Sequence, residues 1–101
     1  MMAYDSSQTP PSRLDEATLD AVRTALRDYL ANVSSSISLQ AALLHMSSEA
    51  REKGILPEHL LILLKDIWGA LPEVRAMSDS SEQIRMLQRV VTMCIKEYYS
   101  G

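Results

Sequence analysis

Two histidines and one cysteine are the side chains of this 101-residue chain best suited to nucleophilic, acid–base or metal chemistry. His45 lies within one predicted helix, His59 follows Glu58 at the start of the next, and Cys94 falls in an apolar stripe near the C-terminus. Their spacing does not match a zinc ligand set, and adjacent helical residues such as Glu58 and His59 diverge rather than pair. We expect no metal, no cofactor and no catalytic residue, and we expect Cys94 to behave as a small buried hydrophobe.

His45 has one specific functional interpretation. At about 100° per residue, its ring lies well off the apolar stripe of its own helix, so it can meet solvent. An exposed histidine on a helix resembles the phosphoryl acceptor of histidine phosphotransfer domains. Those domains usually place a lysine and a small residue just downstream, whereas Ser48 and Glu49 follow here, and a carboxylate repels phosphate. A phosphotransfer-like signalling domain using His45 is therefore the alternative function.

Two further segments contain the residue types of functional motifs, but the sequence around them does not match those motifs. Asp79 and Ser80 before an amphipathic helix resemble the phosphopantetheine serine of acyl carrier proteins, but Ser81 follows and only one helix remains, so a helix cap explains them better. The segment around GILPEH resembles the turn of a helix-turn-helix. The helix after it would have to present LLILLKDIW to DNA, and such a surface is typical of a protein core.

Composition and charge indicate a globular helical protein. The chain is 47% hydrophobic and 23% charged, with six Met, no Phe and only three Gly, which suits helices better than sheets. A net charge of −3 does not favour nucleic acid or anionic membranes, and no apolar stretch approaches the roughly 18 residues of a membrane span. A single cysteine excludes an internal disulfide, and no signal peptide is apparent, so we expect a cytoplasmic location.

Apolar periodicity predicts an all-α fold, a compact antiparallel four-helix bundle-like domain at residues 13–101 behind a flexible N-terminal arm at residues 1–12. One further helical turn is possible at residues 73–78. The predicted helices run from Ser12 or Leu14 to about Val33, from a cap in the serine-rich segment 34–38, best placed at Ser38, to Gly54, from Pro57 to about Gly69, and from a cap at Ser78, Asp79 or Ser80 to about Tyr99. The expected inward stripes are Leu19, Val22, Leu26, Tyr29 or Leu30, and Val33 on the first helix; Leu39, Leu43, Met46 and Ala50 on the second; and Ile84, Leu87, Val91, Cys94, Ile95 and Tyr98 on the fourth.

Some apolar residues have no place in the core of such a monomer. Met86, Val90 and Met93 form a second stripe on the fourth helix, rotated away from its expected inward stripe. Leu44 on the second helix and Ile62 on the third also point outward. These residues predict a non-catalytic protein–protein interaction or regulatory module that self-associates through the fourth helix as a homodimer. In the competing interpretation, the fourth helix buries both stripes within the monomer.

Charged and aromatic residues complete the predicted interaction surface. Arg85, Arg89 and Lys96 share a third face of the fourth helix, and Tyr99 could anchor a contact near its end. The first helix carries acidic residues with which that basic face could pair between chains: Glu16, Asp20 and Asp28. The same charges could equally form solvated surfaces, since exposed ion pairs contribute less than about 1 kcal/mol.

Overall fold

A computed structural model describes residues 13–32 and 36–100, and this part of the chain contains helices and connecting turns but no strand. The helices are α1 (Glu16–Ala31), α2 (Ile37–Glu52), α3 (Pro57–Ala70), α4 (Pro72–Arg75) and α5 (Ser80–Ser100). The four long helices correspond in order to the predicted ones, and α4 supplies the further turn. The all-α class is therefore confirmed, whereas the bundle and antiparallel arrangements stay predictions. The predicted N-terminal arm and Val33 lie outside the described residues.

The start of α1 differs from the prediction for a tertiary reason. The helix begins at Glu16, after an extended Asp15, rather than at Ser12 or Leu14. The Asp15 backbone N–H donates to the Glu49 carboxylate of α2, at 2.6 Å from Oε2. The group that satisfies this helix end therefore comes from another helix, which local sequence cannot reveal.

Both ends of α2 are defined locally. The helix begins at Ile37 after Ser36, so the predicted cap at Ser38 is wrong. The first α-helical hydrogen bond forms two residues earlier than predicted, because the Gln40 N–H donates to the Ser36 carbonyl at 2.8 Å. At the other end, Gly54 has a φ of +73°, and the Ile55 N–H donates to the Ala50 carbonyl at 2.8 Å. This Schellman arrangement confirms Gly54 as the predicted helix stop.

The core lies between the long helices. α2 packs against α1 and α5, while α3 packs against α5, α4 and α1. Burying one aliphatic side chain of this kind stabilises the folded chain by roughly 1.5–3 kcal/mol. The fully buried side chains include Val22 and Leu26 of α1, Leu39, Leu43 and Met46 of α2, Leu60 and Leu64 of α3, and Val90 and Cys94 of α5. The predicted stripe of the second helix is thus confirmed throughout, because Ala50 is buried as well.

The rotation of α5 about its axis corrects the predicted inward stripe. Met86 is 7% exposed and Val90 is fully buried, whereas Ile84 is 56% exposed and Ile95 is 38% exposed. The stripe predicted to face outward therefore enters the core, and the edge of the stripe predicted to face inward reaches solvent. The side-chain amide of Gln83 donates to the Val74 and Met77 carbonyls at 3.0 Å each. These bonds join the first turn of α5 to the residues that precede it.

Candidate functional site

An exposed apolar ridge runs along α5. We define the α5 ridge as Ile84, Leu87, Val91 and Ile95, which follow one another at steps of three, four and four residues. Its two ends are exposed, and Leu87 and Val91 between them are half-buried. At 1.5 Å per residue, the ridge is about 16 Å long. A continuous stripe of this kind on a surface helix is typical of a contact with another helix.

The C-terminal end of α5 is held by polar contacts from α2 and the turn after it. The Arg51 side chain donates to the Tyr98 carbonyl at 2.5 Å and to the Glu97 carbonyl at 3.3 Å, and its guanidinium lies 6.0 Å from the centre of the Tyr98 ring. The Tyr98 hydroxyl donates to the Ile55 carbonyl at 2.9 Å. Gln83 makes hydrogen bonds near the other end, so both ends of α5 are joined to neighbouring parts of the fold.

The predicted interaction residues are only partly brought together. Met86 and Val90 belong to the core, which removes them from any surface of the folded monomer. Leu44 and Ile62 are exposed, as predicted, but they lie on α2 and α3 and do not extend the α5 ridge. Tyr99 is also exposed and follows Ile95 by four residues, next to the end of the ridge. The remaining three predicted residues, Arg85, Arg89 and Met93, line a cleft between α1 and α5.

A buried carboxylate joins α2 to the start of α1. Glu49 forms an ion pair with Lys53 at 2.7 Å, and its buried carboxylate also accepts hydrogen bonds from the Thr18 hydroxyl and the Asp15 backbone N–H. Burial alone raises the pKa of Glu49, but the bonds from Lys53, Thr18 and Asp15 outweigh it and lower that pKa to about 2. The same pair raises the pKa of the Lys53 ammonium. The carboxylate therefore stays ionised and serves to join helices rather than to accept protons.

Sequence reasoning missed this connection, although Thr18 gave a signal. Thr18 lies four residues before Val22 and is buried on the core side of α1. A polar side chain on an apolar face needs a partner, because burying an unpaired hydroxyl is costly. The position therefore indicated a buried hydrogen bond but did not identify Glu49, which follows 31 residues later.

The histidines and the cysteine remain separate from one another. The His45 side chain is 68% exposed, and its Nε2 lies 4.0 Å from Glu49 Oε1. His59 is exposed beside the apolar residues Ile55, Ile62 and Leu63. Among the described residues, no group of three or more His, Cys, Asp or Glu side chains is placed to hold a metal ion.

Cys94 has the character of a core residue. It is 1% exposed, which confirms the predicted burial. Burial raises the pKa of its thiol, and this effect exceeds the lowering caused by the neighbouring Ser47 hydroxyl. A thiol that is both buried and protonated is a poor nucleophile.

No protein-family model, curated protein or solved structure matches this chain. Within residues 13–32 and 36–100, no helix combines the length and the apolar character needed to span a bilayer.

Proposed function

We propose that this domain is a non-catalytic protein-interaction module that self-associates through α5. The observation that carries the proposal is the α5 ridge, where Ile84 and Ile95 expose aliphatic surface at the two ends of one continuous stripe. The predicted interface residues Met86 and Val90 are replaced in this proposal by the opposite edge of the same helix. The basic face and Tyr99 keep their predicted place beside the contact.

A second copy of the chain is the partner that the ridge fits best. In a two-fold symmetric dimer the same patch meets itself, so the patch must be complementary to itself. An aliphatic ridge satisfies this condition, and Gln88 and Thr92, the α5 residues next to it on one side, are uncharged. Arg85 and Lys96 lie further round the helix, where like charges of two copies stay separated and solvated.

The effect of removing the two exposed isoleucines can be estimated from the apolar surface that they would bury. Covering the exposed part of Ile84 or Ile95 contributes about 1 kcal/mol each at roughly 25 cal/mol per Å². A symmetric dimer contains each residue twice, so the two positions together supply about 4 kcal/mol. Losing that amount weakens association by roughly a thousandfold, since about 1.4 kcal/mol corresponds to a factor of ten.

The test compares the double variant I84E/I95E with Ile37→Glu. Ile37 is 78% exposed on α2 and lies outside the ridge. Its substitution also replaces an exposed isoleucine by glutamate, but at a position that does not take part in the proposed contact. Sedimentation velocity of the three proteins is expected to show association in the wild-type chain and the Ile37→Glu variant and its loss in I84E/I95E. Equal association in all three would refute the ridge as the contact, and circular dichroism checks that each variant stays helical.

Phosphotransfer through His45 is the second candidate function. The exposure of the imidazole favours it, because a phosphoryl donor could reach Nε2. The Glu49 carboxylate 4.0 Å away opposes it, because a phosphoryl group carries negative charge. Incubation of the wild-type chain and a His45→Ala variant with acetyl phosphate distinguishes the two functions. The interaction module forms no phosphohistidine, whereas the phosphotransfer domain forms one that the variant lacks.

A further inference from the structure

A cleft lined by basic and polar side chains lies between α1 and α5. It has a volume of about 530 Å³, which is within the usual range of small-molecule sites. It opens beside the C-terminal half of α1 and the middle of α5. The described residues that line it are Tyr29, Ser36, Arg85, Gln88, Arg89, Thr92 and Met93.

The charge of the cleft is uniformly positive. Arg85 and Arg89 lie one helical turn apart, and no carboxylate contributes to the lining among the described residues. Neither guanidinium forms an ion pair in the described part of the chain. Two like charges at this spacing repel each other, so an anion bound between them would relieve an unfavourable interaction. Ser36, Gln88 and Thr92 add hydroxyl and amide groups that can donate hydrogen bonds to such an anion.

The remaining lining residues, Tyr29 and Met93, are less polar and less exposed. Tyr29 is buried in the core, and Met93 is half-buried beside it on α5. The Met93 thioether and the Tyr29 ring can pack against apolar or aromatic groups, and the flexible methionine side chain can adapt to their shape. The cleft therefore combines a dicationic rim with an apolar base, which distinguishes it from a basic surface that attracts any anion.

We propose that this cleft binds a small organic phosphate monoester. The phosphate would lie between Arg85 and Arg89, whose planar guanidinium groups can each donate two parallel hydrogen bonds to its oxygens. A monoester carries a charge of about −1.5 to −2 at neutral pH, which matches the two arginines. Its organic group would cover Met93 beside Tyr29.

Phenyl phosphate is the probe, and inorganic phosphate and phenol are the two halves of its chemistry. Calorimetric titration of the wild-type chain is expected to give saturable binding of phenyl phosphate, at least tenfold weaker binding of inorganic phosphate, and none of phenol. In amide NMR spectra the resonances of Thr92 and Met93 are expected to shift. Absence of saturable phenyl phosphate binding would overturn the site, and equal affinity for inorganic phosphate would overturn the role of the apolar base.

Matched variants separate the cleft from general electrostatic attraction. R85Q/R89Q removes two positive charges at the rim, and R75Q/K96Q removes two from residues that do not line the cleft. All four side chains are exposed, so both variants are expected to fold. Phenyl phosphate affinity is expected to fall at least tenfold in R85Q/R89Q and to change less than twofold in R75Q/K96Q. Equal losses in both variants would show an effect of net charge and would refute the cleft.

Discussion

Replacing Glu49 by Gln removes the charge that joins α2 to the first turn of α1 while it keeps the size of the side chain. The wild-type carboxylate accepts bonds from Lys53, Thr18 and the Asp15 backbone N–H. An amide at this position can accept hydrogen bonds through its oxygen. Its NH2 group can only donate, so it cannot accept the hydrogen bonds that the second carboxylate oxygen accepts in the wild type. We therefore expect E49Q to be destabilised and the start of α1 to fray.

The magnitude follows from the pKa of Glu49. A fall from the ordinary value of 4.5 to about 2 corresponds to about 3 kcal/mol, since each unit corresponds to 1.36 kcal/mol. Lys53, its main partner, is 28% exposed, so solvent screens part of this interaction. After this allowance, we expect the ionised carboxylate to contribute about 2 kcal/mol to the free energy of unfolding.

The folded and unfolded pKa values of Glu49 also determine how the free energy of unfolding changes with pH. A carboxyl whose pKa is lower in the folded chain stabilises that chain above the unfolded pKa and loses this contribution as the pH falls through the folded pKa. For Glu49 the loss therefore occurs between about pH 5 and pH 2. The pKa of Glu73 is also lowered, first by its own backbone N–H and then by Arg27, so the wild-type chain alone does not isolate Glu49.

The assay is urea unfolding at pH 7, 5, 3 and 2, followed by circular dichroism at 222 nm. The difference in unfolding free energy between wild type and E49Q is expected to be about 2 kcal/mol at pH 7 and to shrink towards zero at pH 2. Glu52→Gln, an exposed substitution on the same helix, is the matched control and is expected to change stability by less than about 0.5 kcal/mol. A wild-type to E49Q difference that is independent of pH would refute the role of the charge.

Two further predictions concern how the helices end and turn. Gln83→Ala removes both hydrogen bonds to the Val74 and Met77 carbonyls, and we expect it to destabilise the chain by about 1–2 kcal/mol. Urea unfolding measures this change, and a loss below about 0.5 kcal/mol would contradict the anchoring of α5 by Gln83. Gly54→Ala places a Cβ on a residue with a φ of +73°, where no neighbouring atom lies within 4 Å, so only backbone strain opposes it. We expect a loss of about 1 kcal/mol in thermal unfolding, and an unchanged or raised midpoint would show that the Schellman turn is not required.

Sequence reasoning succeeded where one local signal was sufficient. Gly54 ends α2, Pro57 begins α3, and the Asp79 side chain accepts hydrogen bonds from the backbone N–H groups of Ser81 and Glu82, as expected of a helix cap. Each of these residues restricts the backbone at its own position. Periodicity also identified the buried face of α2, because only one side of that helix carries a continuous series of large apolar residues.

Sequence reasoning failed where a distant contact decided the outcome. α5 carries two apolar edges with equivalent spacing, so periodicity predicted a helix but not which edge faces the core. In the folded chain the edge that contains Met86 and Val90 is the buried one, and that outcome depends on how α5 packs against the other helices. In the same way, the start of α1 depends on Glu49 of another helix. The cleft escaped prediction because it combines Tyr29 with residues more than 50 positions later in the chain.

Sedimentation equilibrium of the wild-type chain over a range of micromolar concentrations tests self-association through the α5 ridge most directly. The proposal predicts an average mass that rises with concentration from 11.3 kDa towards twice that value, and that stays at 11.3 kDa for I84E/I95E. A wild-type chain that remains at 11.3 kDa throughout the range would contradict the proposal.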